Sequence, residues 1–378
     1  MKVIHIMDNL GGTGGVNNFV YDLCCALKLQ NVDVSLIGIL DSKDAYAIQK
    51  LGECGIEVVC LEAKSKKEAI LHFIYALRKE IVRLSGGKPT ICNLHLKLGV
   101  LMGGIATLGL DNVKCVETYH SQYKNYTLEY NLMKCRISGY IPCSQSAAKE
   151  MKKRFHVPKE KVHMIPNGIN LMNVKESFLQ KEADGHIVFL SVGRLTKQKN
   201  YSVLIDAFNA LDLKAVDYHI IGEGEDENCL KERAVSPNIH FIGAMGRTEV
   251  LNYTAEADII CMPSLWEGLS IYMMEAFALG KPMILSDNQS FREAVEEEEL
   301  RVEHYRKCKW GYLVKVDDVQ AYEQVIMDFI EHPEEWSSMA EASFKLAKRF
   351  DIQSTAEKYR EVYTKLLCGG KCDIRGEK

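Results

Sequence analysis

The chain has 378 residues, 47% of them hydrophobic and 26% charged, enough for two ordinary globular domains that each bury a core. No run of about 18 apolar residues is present to span a bilayer, which excludes an integral helical membrane protein. The net charge of −4 is uneven: residues 1–170 hold 22 Lys and Arg against 15 Asp and Glu, and the rest hold 25 against 36. A basic first half suits an anionic partner, such as acidic lipid headgroups or a pyrophosphate-linked acceptor; cations on solvated helices are the plain alternative.

MKVIHIM enters an apolar strand directly, without a basic n-region, h-region or cleavage site, so a cytoplasmic location is expected. The strand runs into GGTGG, a loop whose backbone, at Gly12 and Gly15, can approach a phosphate or sugar before a helix that begins near Val16. It matches neither GxGxxG nor the lysine-bearing P-loop. VDVSLIGIL, IEVVCLEA, TICNLH, VKCVETYH and GYIPCSQ follow as short strands separated by helical patterns, among them 16–30 and 66–84. That alternation predicts a parallel, doubly wound sheet. The segment around 66–84 carries Lys64, Lys66, Lys67, Arg78, Lys79, Arg83 and Lys88 beside an apolar stripe. A membrane-surface helix has that pattern, and so does an ordinary core-facing helix.

A linker is expected over 167–184, where Pro166, Asn167 and Gly168 carry turn chemistry. The strand-then-glycine grammar returns at HIVFLSVGRLTKQKN, and DYHIIGEGE, IHFIGAM, ADIICMPS, KPMILSD and GYLVKV supply the strands of a second α/β domain over 185–351. Its helices are expected near 200–212, 226–234, 247–255, 270–279 and 317–331. The tail FDIQSTAEKYREVYTKLL is amphipathic and too polar for an internal helix. It is expected to pack along a domain surface, with 352–378 returning to the first domain (1–166). The thirteen cysteines are odd in number, scattered and mostly in apolar runs, so they read as reduced core thiols. Cys368 and Cys372 lack the partners of a zinc site.

PSLWEGLSIYMMEAFALGKP places Glu275 inside an apolar helix, with Ser270 as its N-cap and Gly280 followed by Pro282 as its stop. Glu267 stands in the loop ahead. The free N–H groups of about Leu269 to Tyr272 suit a phosphate, and Glu275 could accept hydrogen bonds from ribose; an exposed glutamate, or one paired with a neighbouring lysine, is the alternative. Arg194 and Lys199, just after a strand, could neutralise a diphosphate. His120 follows a strand end, where ligands of open α/β sheets collect, and a satisfied structural histidine would look the same in sequence.

Taken together, the glycine loop, TYHSQ, CSQSAAKEM, IPNGIN, VGRLTKQKN, IIGEGE, IHFIGAM and PSLWEGLSIYMMEAFALGKPMI resemble the retaining nucleotide-sugar glycosyltransferases of family 4, over about residues 3–365. The resemblance implies the GT-B fold, two Rossmann-like domains facing across a cleft, with a nucleotide-sugar donor, UDP-sugar favoured. The implied acceptor is a saccharide or a lipid-linked one, in cell-surface polysaccharide synthesis. Glu275 would hold ribose, Glu267 the donor sugar, and the backbone of Gly268–Ser270 the diphosphate. Arg194 and Lys199 would stabilise the departing nucleotide, Gly12 would lie near the phosphates, His120 would touch the sugar, and Glu223 and Met245 would flank the base. No metal, other cofactor or nucleic acid is implied, and a peripheral membrane contact is open. Tyr272-Met273-Met274 and SDNQSFREAV depart from the family pattern. A non-catalytic sugar-nucleotide-binding protein, or another GT-B enzyme such as an epimerase, is the alternative.

Overall fold

The computed structural model describes residues 1–11, 14–42, 44–120, 127–171, 185–296 and 301–369. The chain divides into two compact units, Met1–Gly168 with Ile352–Lys378, and Ile169–Asp351. Most of the expected linker, residues 172–184, lies outside the described residues, as do Gly12 and Cys372.

The first unit is built on strands β1 (Lys2–Met7), β2 (Asp33–Leu40), β3 (Glu57–Ala63), β4 (Thr90–His95), β5 (Val113–Tyr119) and β6 (Ile137–Pro142). They form one sheet in the order β3-β2-β1-β4-β5-β6, with every pairing parallel. This is the doubly wound order, in which β1 and β4 run side by side and their connections depart to opposite faces. Every residue of β1 and β4 is buried, as expected of strands covered on both faces. Ile4, Ile6, Leu94, Leu98 and Met102 belong to the core that results.

The second unit repeats the plan with β7 (Ile187–Val192), β8 (Val216–Ile221), β9 (Ile239–Gly243), β10 (Ile259–Met262), β11 (Met283–Ser286), β12 (Tyr305–Cys308) and β13 (Gly311–Val314). The order is β12-β13-β11-β10-β7-β8-β9, parallel except for β12 against β13. Sequence patterning missed β12, a short edge strand with no apolar run. Phe189, Phe208, Tyr218 and Phe329 are among the residues of this unit's core.

Two sequence expectations change in detail. The segment expected as one helix over 66–84 is a turn of helix at Lys66–Glu68, a π-turn at Ala69–Phe73 and a helix at Ile74–Ser85. The wider turn inserts a residue, which keeps Ala69 in phase with buried Leu77, Ile81 and Leu84. The C-terminal helix, Ile352–Leu367, does return to the first unit, but its inner stripe is more deeply buried than its polarity suggested. Tyr359 and Tyr363 are 0% exposed, and the Asn93 amide donates to Tyr363 Oη at 2.7 Å.

Candidate functional site

In the second unit the strand order reverses between β7 and β10, so a crevice opens beyond their C-terminal ends, where ligands of such sheets bind. The loop leaving β7 carries Gly193, Arg194 and Lys199, and the loop leaving β10 carries Ser264, Glu267 and Gly268. Two loops far apart in sequence therefore reach one end of one sheet because of topology alone.

These loops are tightly built. Gly193 and Gly222 both have positive φ, 150° and 140°, and a Cβ on Gly222 would collide with the Gly193 carbonyl oxygen. The Leu265 amide donates to the Gln198 carbonyl at 2.8 Å and the Gln198 amide to the Trp266 carbonyl at 2.9 Å. Lys199 Nζ donates to Glu267 Oε1 at 2.6 Å, and Ser264 Oγ to the same oxygen at 2.8 Å. Ser290 Oγ holds the Glu267 carbonyl at 2.6 Å. Both charged side chains are largely buried, at 19% and 9% exposure, so their charges are poorly screened. Beside them the buried Tyr201 hydroxyl has no hydrogen-bond partner among the described residues. Its proton is held far above the usual phenol range by burial and by the Glu267 charge. Arg194 is exposed.

Glu275 sits in the helix Ile271–Ala278. Ser270 caps the start by accepting from the Met273 amide at 3.4 Å, and Gly280, φ 65°, lies just past the end. The carboxylate is buried, and what satisfies it is an arginine: Arg247 Nε and Nη2 reach Oε1 at 2.8 and 2.7 Å. Ribose is therefore not needed to explain a glutamate among Met273, Met274, Ala276 and Phe277; the side chain is buried rather than exposed, and the cation paired with it is Arg247, where a neighbouring lysine was the alternative expected. Arg247 opens the helix Arg247–Glu256, whose last turn is tied back by Lys281 Nζ to the Ala255 and Ala257 carbonyls. Sequence reasoning missed Arg247, since nothing local in MGRTEVL announces a partner 28 residues away. Gly268 and Leu269 form the approach to the capped helix, and Glu223 and Met245 follow the C-terminal ends of β8 and β9, Glu223 exposed and Met245 half-buried.

In the first unit His120 is buried at the C-terminal end of β5 and is one of three linked rings. His5 Nδ1 and His95 Nε2 are 2.9 Å apart, as are His95 Nδ1 and His120 Nε2. Burial holds all three neutral, pushing His5 and His120 down to about 3, with the His120 charge adding to the effect on His5. His5 Nε2 and His120 Nδ1, at the two ends, have no partner among the described residues. Gly15 opens the helix Gly15–Leu29 after Gly14, a cap position without a side chain, so its first amides are met by backbone only.

Two doubly wound parallel sheets on one chain, the second with a held carboxylate and cations at its switch point, define the GT-B class of sugar-transferring enzyme. The family model of glycosyl transferases group 1 matches residues 174–346, and that of Glycosyltransferase Family 4 matches residues 13–172. The chain is a glycosyltransferase. It is 22% identical to an uncharacterised glycosyltransferase of Haemophilus influenzae, with 96% of this chain and 99% of that one aligned. It is 28% identical to the N-acetylgalactosamine-N,N'-diacetylbacillosaminyl-diphospho-undecaprenol 4-alpha-N-acetylgalactosaminyltransferase of Campylobacter jejuni, over 90% of this chain and 93% of that one. Among solved folds, Anabaena HepE in complex with UDP and glucose superposes with a TM-score of 0.76 at 17% identity, covering 96% of this chain and 99% of the other.

Proposed function

We propose that the chain is a retaining enzyme of family 4 that transfers a sugar from a UDP-sugar to a lipid-linked saccharide, without a metal in the chemistry. The observation that carries this reading is the Lys199–Glu267 pair at the β7/β10 switch point, 2.6 Å apart and largely out of water. A carboxylate so held is an acceptor for sugar hydroxyls. Lys199, with Arg194 and the amides ahead of the Ser270-capped helix, supplies fixed positive charge for a departing diphosphate. In the transfer, the bond from the anomeric carbon to the β-phosphate oxygen breaks, the acceptor oxygen bonds to that carbon, and the acceptor proton passes to the leaving phosphate. Glu275, oriented by Arg247, binds the ribose, Glu223 and Met245 border the base, and His120 contacts the transferred sugar.

A UDP donor and a polyprenyl-diphosphate acceptor are supported by the HepE complex and by the Campylobacter relative's substrate name. Contact with an anionic membrane surface is supported by the segment 64–88. Leu71 and Tyr75 are 63% and 78% exposed there, beside exposed Lys66, Lys67 and Lys79. No helix among the described residues is long and apolar enough to cross a membrane.

The test is calorimetric titration with UDP, GDP and NAD in excess EDTA, repeated on Glu275→Ala, followed by transfer to a lipid-diphosphate saccharide with the product's anomeric configuration read by NMR. UDP binding lost in the variant and an α-linked product from an α-linked donor are expected. Preference for NAD, an absolute metal requirement, or inversion at the anomeric carbon would each refute the corresponding part of the proposal.

A further inference from the structure

The far edge of the second sheet carries a constellation that the transfer reaction does not use. In β8 the sequence VDYHII alternates, so Asp217 and His219 project from one face while Tyr218 and Ile220 enter the core. His240 on β9 is the register partner of His219, and Val188 on β7 is that of Asp217. His186 lies two residues ahead of Val188 and so falls on the same face. Side-chain alternation and strand register thus deliver three histidines and an aspartate to one patch across three adjacent chain segments.

The side chains converge there. His186 Nε2 is 2.8 Å from Asp217 Oδ2, His240 Nε2 is 3.2 Å from Oδ1, and His219 Nε2 is 3.8 Å from Oδ2. Ligand atoms of Asp217, His219 and His240 all lie within 4.8 Å of one another. Two donors on a tetrahedral zinc ion, at bond lengths near 2.0–2.1 Å, stand about 3.3 Å apart, so the cluster needs only small rotations to close on an ion. The opposite nitrogen of His219 meets the Tyr253 hydroxyl at 2.8 Å. An outer hydrogen bond of this kind fixes a metal-binding imidazole with its Nε2 lone pair facing the ion.

We infer that Asp217, His219 and His240, with His186 bonded to the same Asp217 carboxylate, form a binding site for a borderline divalent transition-metal ion, zinc above all. Nitrogen-rich donors with one carboxylate select zinc, cobalt or nickel over magnesium and calcium, which take oxygen ligands. The site shares no residue with Arg194, Lys199, Glu267 or Glu275. Its role is structural: it clamps the edge strand β9 to β8 and, through Tyr253, to the helix that begins with Arg247.

Cobalt(II) titration of tag-free protein, followed by visible absorption, tests this directly. One ion per chain is expected, with the d–d bands of a four- or five-coordinate site and no sulfur-to-cobalt charge transfer. Exposed Cys54, Cys135, Cys229 and Cys368 make that second criterion necessary. His240→Ala, on a side chain 41% exposed, should keep the fold and the UDP affinity while lowering cobalt affinity at least tenfold. Tyr253→Phe should lower it by about 10-fold, as loss of an outer partner does. Zinc should raise the melting temperature of the wild type and not of His240→Ala. Binding absent at tens of micromolar cobalt, carried by thiolate bands, or unchanged in both His240→Ala and Asp217→Asn would overturn the inference.

Discussion

Arg247 and Glu275 meet through two guanidinium nitrogens on a single carboxylate oxygen, at 2.8 and 2.7 Å, with the glutamate side chain only 5% exposed. Deleting the arginine leaves a buried carboxylate short of its main cation, a loss that costs about 3 kcal/mol when one partner of a buried pair is removed. Arg247→Ala should therefore lower the urea midpoint markedly. The double variant Arg247→Met/Glu275→Met, which removes both charges, should recover most of the stability, yet it should not recover UDP binding if the carboxylate holds ribose.

The linked histidines predict an acid sensitivity with a definite sign. His5 and His120 titrate near 3 in the folded chain and near 6.5 once unfolded. Below about pH 6.5 the unfolded chain therefore binds more protons, and stability falls as pH drops towards 3. Each histidine contributes a slope of up to about 1.4 kcal/mol per pH unit in that window. Urea denaturation at pH 7.5 and 5.5 should show the loss, and His5→Gln should make it shallower. Equal slopes in the two proteins would mean that the rings do not carry the effect.

Period and punctuation made the two domains legible: β1, β2, β7 and β8 are apolar runs that stop at turns, and Ser270 and Gly280 bracket their helix as their chemistry requires. That Arg194 and Lys199 follow a strand was legible too, but that they share a switch point with Glu267 needed the strand order of the folded sheet. What stayed hidden depends on pairing across space. Arg247 with Glu275, Lys199 with Glu267, and the His5–His95–His120 file are joined by register and loop closure, to which no local spacing testifies. The alternation in VDYHII was visible, but without the register of β9 it did not point to His240.

The membrane reading rests on Leu71 and Tyr75, since Arg78 and Arg83 are already engaged. Arg78 donates to the Ala106 and Leu108 carbonyls, and Arg83 pairs with Glu57 and Glu80. With Lys66, Lys67 and Lys79 exposed beside these two, vesicle flotation should show binding to anionic but not neutral lipid. Leu71→Ser/Tyr75→Ser should weaken that binding at least tenfold, because two apolar side chains worth about 1.5–3 kcal/mol each on burial are lost. Turnover of a short water-soluble acceptor should be unchanged in this variant, as neither residue belongs to the donor site.

Lys199 offers the sharpest separation of binding from chemistry. Its ammonium is fixed against Glu267 at 2.6 Å, so in the proposed transfer little reorganisation is needed when charge develops on a leaving diphosphate. Replacing it with alanine should reduce kcat by about 10²–10³-fold, the loss typical of one preorganised electrostatic donor, with a much smaller change in KM for the donor. Lys199→Ala also strips Glu267 of its cation, so the comparison should include Glu267→Gln, which keeps the lysine and removes the charge it neutralises. If Lys199 acts on the leaving group, Glu267→Gln retains more activity than Lys199→Ala. If the lysine merely holds Glu267 in place for the sugar, the two variants lose activity alike, and a rise in KM accompanies the loss in both.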